Sequence, residues 1–129
     1  MNKNKRRKDE GFSFKPTIDG LNYAIEKEHN LIYIMLFITV ILGLSIFFKV
    51  ELYEILILIV TSGITFSLEL INTSIEALTD LVTTKNNNLA KIAKDSSAAS
   101  LFIMVMITII STLIIFVPKI IEYVGEMLW

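Results

Sequence analysis

Three long apolar runs dominate this sequence, and their length limits what the chain can fold into. They lie at about 31–50, 52–82 and 98–117. Each holds the roughly twenty residues that a helix needs to cross the hydrocarbon core of a bilayer. A helix satisfies its own backbone hydrogen bonds in lipid, whereas a short strand does not. The sequence therefore predicts an all-α membrane protein with three transmembrane helices.

A segment of different periodicity precedes the first run. Its apolar side chains recur every three or four residues, at Phe14, Ile18, Leu21 and Ile25. This spacing predicts an amphipathic helix over about 14–28, with Pro16 near its first turn. Because a basic stretch precedes it and no soluble core partner is visible, we expect this helix to lie on the membrane surface. The expected organisation is a basic tail, 1–10, and a single domain, 11–129.

Basic residues are distributed unevenly between the two sides of the predicted bundle. Five lie in the N-terminal flank, and the connection at 83–96 holds Lys85, Lys91 and Lys94. The other side has only Lys49 and Lys119, each with acids nearby. Cytoplasmic loops carry the excess of positive charge. We therefore expect a multi-pass plasma-membrane protein with the N-terminus and the 83–96 loop in the cytoplasm and the C-terminus outside. A polar stretch, not an apolar core, follows the basic tail, so no signal peptide is expected.

Acids and an amide run along one face of the second predicted span. They are Glu69, Asn72, Glu76 and Asp80. At 3.6 residues per turn, these side chains lie within roughly 80° of one another, and the two glutamates lie about 10 Å apart along the axis. Carboxylates are costly in or near hydrocarbon and persist where they face a cavity, a partner or a metal. This stripe is therefore a candidate functional site.

Two further polar groups are expected at the same end of the bundle. Glu28 and Asn30 lie where the surface helix meets the first span. The other group, just before the third span, shares a face if that stretch is helical, and it consists of Lys91, Lys94 and Asp95. The three groups are expected to converge on the cytoplasmic face.

These residue types suit phosphoryl transfer. Carboxylates and an amide oxygen suit Mg²⁺, which bridges to substrate phosphates, and lysines suit phosphate oxygens. A further carboxylate can take the proton of an attacking hydroxyl. The sequence has no G-x-x-x-x-G-K-[ST] loop, so side chains and metal would have to build any nucleotide site. The lack of cysteine and the single histidine, His29, exclude thiolate and multi-histidine metal sites.

Structural roles are an alternative for several of these residues. Asp80 could pair with a lysine on a neighbouring helix, Asn72 could only link helices, and Lys91 could be a solvated charge. The small residues at 96–100 favour close helix packing. A non-enzymatic scaffold or a cation-conducting oligomer would also use an intramembrane acidic ring. That alternative gives no reason for Lys94 and Asp95 at this spacing.

The motifs are similar to those of one family. The run E-L-I-N-T-S-I-E-A-L-T-D at 69–80 is followed by A-K-I-A-K-D at 90–95. Gly20 and the pair Glu28 and Asn30 lie upstream at the matching spacing. Together they resemble the small prokaryotic diacylglycerol kinase family, which includes the undecaprenol kinases of Gram-positive bacteria.

The resemblance implies a homotrimer of three-span subunits, with composite active sites on the cytoplasmic side. Glu69 would be the general base on the lipid hydroxyl, and Glu28 and Glu76 would hold the divalent metal. The nucleotide-binding residues would be Glu28, Asn72, Glu76, Lys94 and Asp95. Supporting roles would fall to Asp80, Asn30 and Lys91.

The resemblance covers about 12–100 and departs from the family pattern at Ile32 and Tyr33, where many relatives carry an Arg-His-like pair. It implies a lipid kinase that uses ATP and Mg²⁺. We expect its substrate to be a membrane lipid alcohol, with undecaprenol preferred over diacylglycerol. The expected partners are this lipid, ATP and further copies of the chain. The formal net charge is −1, and we expect no nucleic acid partner.

Overall fold

The residues that the structure describes form four α-helices, three of which are long. The structure is a computed structural model that describes residues 14–83, 85 and 87–128; the expected basic tail, 1–10, lies outside the described residues. In chain order the helices are α1 (Lys15–Lys27), α2 (His29–Phe47), α3 (Leu52–Val82) and α4 (Asn88–Leu128). The described part of the chain contains no strand. By length and composition α2, α3 and α4 can each cross a membrane, so the predicted all-α membrane fold is confirmed.

Helix α1 is the amphipathic helix that the sequence predicts. Pro16 lies in its first turn, where the missing N–H of a proline has no intrahelical partner to lose. The helix ends because Glu28 adopts an extended conformation, with φ −119° and ψ 106°. α2 begins at the next residue, and α1 packs against both α2 and α3. Lys27 and Glu28 therefore lie at a sharp junction between two helices.

A tight turn joins α2 to α3 at the opposite end of the bundle. Lys49 has a positive φ of 49°, which is uncommon for a residue other than glycine. The Val50 N–H donates to the Ser45 carbonyl at 2.9 Å. A capping box begins α3, in which the Glu51 N–H donates to the Glu54 carboxylate at 3.0 Å. α3 therefore runs back along α2 and brings its C-terminal half towards α1.

Helix α4 differs from the expected third span. The sequence placed that span at about 98–117, closed by Pro118, with a loop at 83–96. The helix instead runs from Asn88 to Leu128 with Pro118 inside it. The Asn87 side chain accepts the N–H groups of Leu89 and Ala90 at 2.9 and 3.2 Å, which starts the helix early. A proline within a membrane helix is tolerated because its neighbours satisfy the freed groups. Since α4 begins at Asn88, Lys91, Lys94 and Asp95 lie on a helix.

Burial changes character along the bundle. Near the α2–α3 turn the buried core is apolar and consists of Ile41, Val50, Leu58, Ile115 and Phe116; we call this the apolar end. Towards α1 the buried residues of α3 are mostly polar and include Ser62, Thr65, Glu69, Asn72 and Thr73; we call this the polar end. Most large apolar side chains face outwards, as helices in lipid require. The homotrimer and the orientation of the termini stay predictions.

Candidate functional site at the polar end

Glu69 is the most deeply buried charged side chain of the described residues, with an exposed fraction of 1%. The Asn30 side chain, from the first turn of α2, hydrogen-bonds to its carboxylate. Its Oε2 atom is buried and has no hydrogen-bond partner among the described residues. A buried carboxylate oxygen without a donor is costly. This atom is therefore placed to receive a proton donor or a cation that the single chain does not supply.

Two further acids lie within electrostatic range of Glu69. They are Glu28, at the α1–α2 junction, and Glu76, two turns along α3. Like charges held this close oppose one another unless a cation or a proton joins them. The structure thus brings together three of the acids that the sequence singled out, from two separate parts of the chain.

Asn72 links α3 to α4 and holds Glu76. Its Oδ1 atom accepts a hydrogen bond from the Ser97 hydroxyl at 2.5 Å, and its Nδ2 atom donates to Glu76 Oε1 at 3.1 Å. The Ser97 Oγ atom also lies 3.0 Å from the Lys94 carbonyl. The sequence indicated only close packing for Ser97. Its position three residues after Lys94, on the same helical face, was the one signal of a polar role.

Lys27 is a second residue of the site that the sequence did not single out. Its Nζ atom lies 3.9 Å from Glu76 Oε2, and both side chains are about one third exposed. It also lies within electrostatic range of Asp80. The only sequence feature that pointed to Lys27 was its position next to Glu28. Which acid the Lys27 side chain reaches depends on the direction of α1.

An ion pair between Lys94 and Asp80 joins α4 to α3. Lys94 Nζ lies 2.6 Å from Asp80 Oδ1, which agrees with the reading of Asp80 as the partner of a lysine on a neighbouring helix. Lys91 and Asp95 are exposed and line, with this pair, a cavity of about 330 Å³. No ion pair or side-chain hydrogen bond within the described residues joins Lys91 or Asp95 to Glu69. One chain therefore places them beside, not within, the group of three acids.

The residues of the polar end fit a Mg²⁺ ion that arrives with phosphate ligands. Mg²⁺ in such sites is held by one or two carboxylates, and waters and phosphate oxygens complete its shell. Glu28 and Glu76 supply two part-buried carboxylates beside the unpartnered Glu69 oxygen. In the described ranges no three His, Cys, Asp or Glu side chains are close enough to hold a metal alone. The donor set therefore suits a metal shared with a substrate, and it does not form a closed metal cage.

The sequence is similar to those of known proteins. The chain matches the family described as Prokaryotic diacylglycerol kinase over residues 15–116. It is similar to a protein named Undecaprenol kinase from Bacillus subtilis (strain 168), with 42% identity over 71 residues. That match covers 55% of this chain and 58% of the relative, which is less than two thirds of the relative's length. Because the family match spans most of the chain and includes every residue of the polar end, the chain belongs to the prokaryotic diacylglycerol kinase family.

Proposed function

We propose that the protein is an ATP-dependent lipid kinase that phosphorylates the hydroxyl group of a membrane lipid alcohol. The observation that carries the proposal is Glu69, a buried carboxylate with one unpartnered oxygen, flanked by Glu28 and Glu76. It lies on a helix that can cross a membrane, so a lipid hydroxyl can reach it without leaving the bilayer. Such a hydroxyl would supply the missing hydrogen bond.

In the proposed reaction Glu69 acts as the general base. The lipid hydroxyl donates its hydrogen bond to Glu69 Oε2, and its proton moves to that atom as its oxygen attacks the γ-phosphorus of ATP. The bond from this phosphorus to the β,γ-bridging oxygen breaks, and ADP leaves. Asn30 holds the Glu69 carboxylate in place through its hydrogen bond.

The remaining polar residues would position the nucleotide. Glu28 and Glu76 would hold Mg²⁺, which when bound neutralises charge on the phosphate oxygens. Asn72 fixes the orientation of Glu76 by donating to its Oε1 atom. Lys94 and Asp95 would contact the nucleotide from the start of α4, where the cavity of about 330 Å³ lies.

We infer that the active protein is a homotrimer whose copies complete each site. In one chain Glu69 Oε2 has no partner among the described residues, and Lys91 and Asp95 lie apart from it. Identical subunits related by closed symmetry are the simplest source of the missing neighbours. Since ATP is cytosolic, this function also requires the polar end to face the cytoplasm, as the basic residues predict.

Undecaprenol is the substrate that we favour, and diacylglycerol is the second candidate. The support is the 42% identity to a relative named Undecaprenol kinase. The departure at Ile32 and Tyr33 concerns the start of α2, close to Asn30.

The test uses the full chain in lipid nanodiscs with ATP labelled on its γ-phosphate. Wild-type protein is given undecaprenol or diacylglycerol, and we expect faster transfer to undecaprenol. Glu69→Gln should lower kcat about 10²- to 10⁴-fold, the usual contribution of a general base. Glu122→Gln, which changes an exposed acid at the apolar end, is the matched control and should leave kcat unchanged. Full activity in Glu69→Gln would remove the proposed base, and cation flux without phosphate transfer would favour the channel alternative.

A further inference from the structure

Lys27 is the only residue of the described chain for which an ion pair with Glu76 is observed. The Lys27 ammonium lies 3.9 Å from Glu76 Oε2, near the outer limit for an ion pair. Both side chains keep about one third of their surface exposed. The contact is therefore loose and open to solvent, and it can exchange for a stronger one.

The two oxygens of Glu76 have different surroundings. Oε1 accepts the hydrogen bond from Asn72, and Asn72 is in turn held by Ser97 on α4. This chain of hydrogen bonds orients the Oε1 atom of Glu76 towards Asn72. Oε2 is then the oxygen that remains for a metal ion, and it is the same oxygen that Lys27 faces.

A metal ion on this oxygen and the Lys27 ammonium beside it repel each other, because both carry positive charge. Lysine has a flexible four-carbon stem, so its ammonium group can move away. Asp80 is a further acid within electrostatic range of Lys27, but its Oδ1 atom is already bonded to Lys94 at 2.6 Å. The phosphate oxygens that arrive with the metal are then the strongest unoccupied partners for Lys27.

We propose that Lys27 is a nucleotide-binding residue that exchanges partners. Without nucleotide it neutralises Glu76; when the metal–nucleotide complex binds, Glu76 takes the metal and Lys27 moves to the phosphate oxygens. The inference depends on the proposed function, because it takes the polar end as the nucleotide site. It explains why a cation from α1 lies at an acid that a metal would need.

Two opposite effects follow when Lys27 is replaced by methionine, which keeps the length of the side chain and the helical propensity. The metal loses its competitor, so Mn²⁺, used as a spectroscopic probe for the Mg²⁺ site, should bind about two- to fivefold more tightly, the range that a partly exposed ion pair contributes. The nucleotide loses a charged partner, so KM for ATP at saturating metal should rise about tenfold. Mn²⁺ binding is measured by electron paramagnetic resonance on the full chain in nanodiscs, without nucleotide or lipid substrate. KM is measured with undecaprenol, and binding of a fluorescent ATP analogue is measured separately.

The controls separate this exchange from simple damage to the fold. Lys27→Arg keeps the charge and should stay close to wild type in both measurements. Lys49→Met removes an exposed cation at the apolar end and should change neither. Unchanged metal and nucleotide binding in Lys27→Met would overturn the proposal, and so would weaker binding of both, which marks a structural role. Wild-type protein that binds the ATP analogue through Lys27 but phosphorylates no lipid alcohol would refute the kinase function and leave the role of Lys27 intact.

Discussion

The two ends of the bundle use the same helices but different interactions. At the apolar end, side chains from α2, α3 and α4 enclose Leu58, and four aromatic rings meet edge to face. The ring pairs are Phe47–Phe48, Phe47–Tyr123, Phe48–Tyr123 and Phe48–Phe116, with centroids 5.0 to 6.1 Å apart. This end also has a short ion pair, since Lys119 Nζ lies 3.0 Å from Glu54 Oε2.

At the polar end, by contrast, some buried polar atoms have no partner within the described residues. It buries Glu69, Asn72 and Ser97, and one oxygen of Glu69 has no partner within the described part of the chain. Lys94 and Asp80 form a short ion pair there, at 2.6 Å, but the pair between Lys27 and Glu76 is 3.9 Å long. Groups whose mutual bonds are complete stabilise a fold, whereas groups with bonding capacity left over can bind something else. We therefore assign stability mainly to the apolar end and chemistry to the polar end.

The largest expected effect comes from Leu58→Ala at the apolar end. Leu58 is fully buried, and removing its side chain leaves a cavity that costs about 2–5 kcal/mol of stability. Unfolding in mixed detergent micelles measures this loss. Leu56→Ala, at an exposed position two residues earlier, is the control. The Mg²⁺ requirement and KM for ATP of the folded Leu58→Ala protein should stay at wild-type values, and a change in either would show that the two ends are coupled.

Ser97→Ala should lower stability less than Leu58→Ala does, but it should also raise the Mg²⁺ requirement. It removes the donor to the buried Asn72 carbonyl, and an unmet buried acceptor costs about 1–3 kcal/mol. Because Asn72 orients Glu76, we expect about a tenfold higher Mg²⁺ requirement, measured by titrating Mg²⁺ at saturating ATP.

Two variants serve as controls for Ser97→Ala. Ser97→Thr keeps the hydroxyl and should restore the Mg²⁺ requirement, while Ser96→Ala changes an exposed neighbour and should have no effect. If Ser97→Ala lowers stability but leaves the Mg²⁺ titration unchanged, Ser97 only packs α4 against α3, as the sequence indicated.

The sequence predicted features within single helices better than it predicted contacts between helices. The face shared by Glu69, Asn72 and Glu76 was predictable because helical geometry is regular. Glu28 was expected near this group because it lies where the surface helix meets the first span, but the extended conformation that turns α1 back onto α3 was not visible in the sequence. Where one helix touches another depends on packing of the whole bundle, which a single sequence does not display.

Two residues of the site were not predicted because contacts between helices are not visible in the sequence. Ser97 and Lys27 act through atoms on other helices, so neither has a local pattern that reveals its partner. The extent of α4 was misjudged because Pro118 was taken as a stop, although one lost hydrogen bond does not end a long apolar helix. The homotrimer remains a prediction that depends on the family resemblance.

The smallest expected effect lies at the boundary between the two ends. Thr65 of α3 and Thr108 of α4 place their hydroxyl oxygens 2.8 Å apart, and each hydroxyl also lies 2.9 Å from a carbonyl one turn earlier in its own helix. Hydrogen bonds between membrane helices contribute about 0.6 kcal/mol on average.

A double-mutant cycle with Thr65→Val and Thr108→Val measures this coupling, and we expect about 0.6 kcal/mol with no change in KM for ATP. Each hydroxyl keeps a local acceptor when the other is removed, which is why the coupling should be small. A coupling near zero would mean that the carbonyl within its own helix satisfies each hydroxyl. The Thr65–Thr108 pair would then not hold α3 to α4, and only the apolar packing would. A change in the Mg²⁺ requirement would instead assign Thr65, one turn from Glu69, to the catalytic part of the bundle.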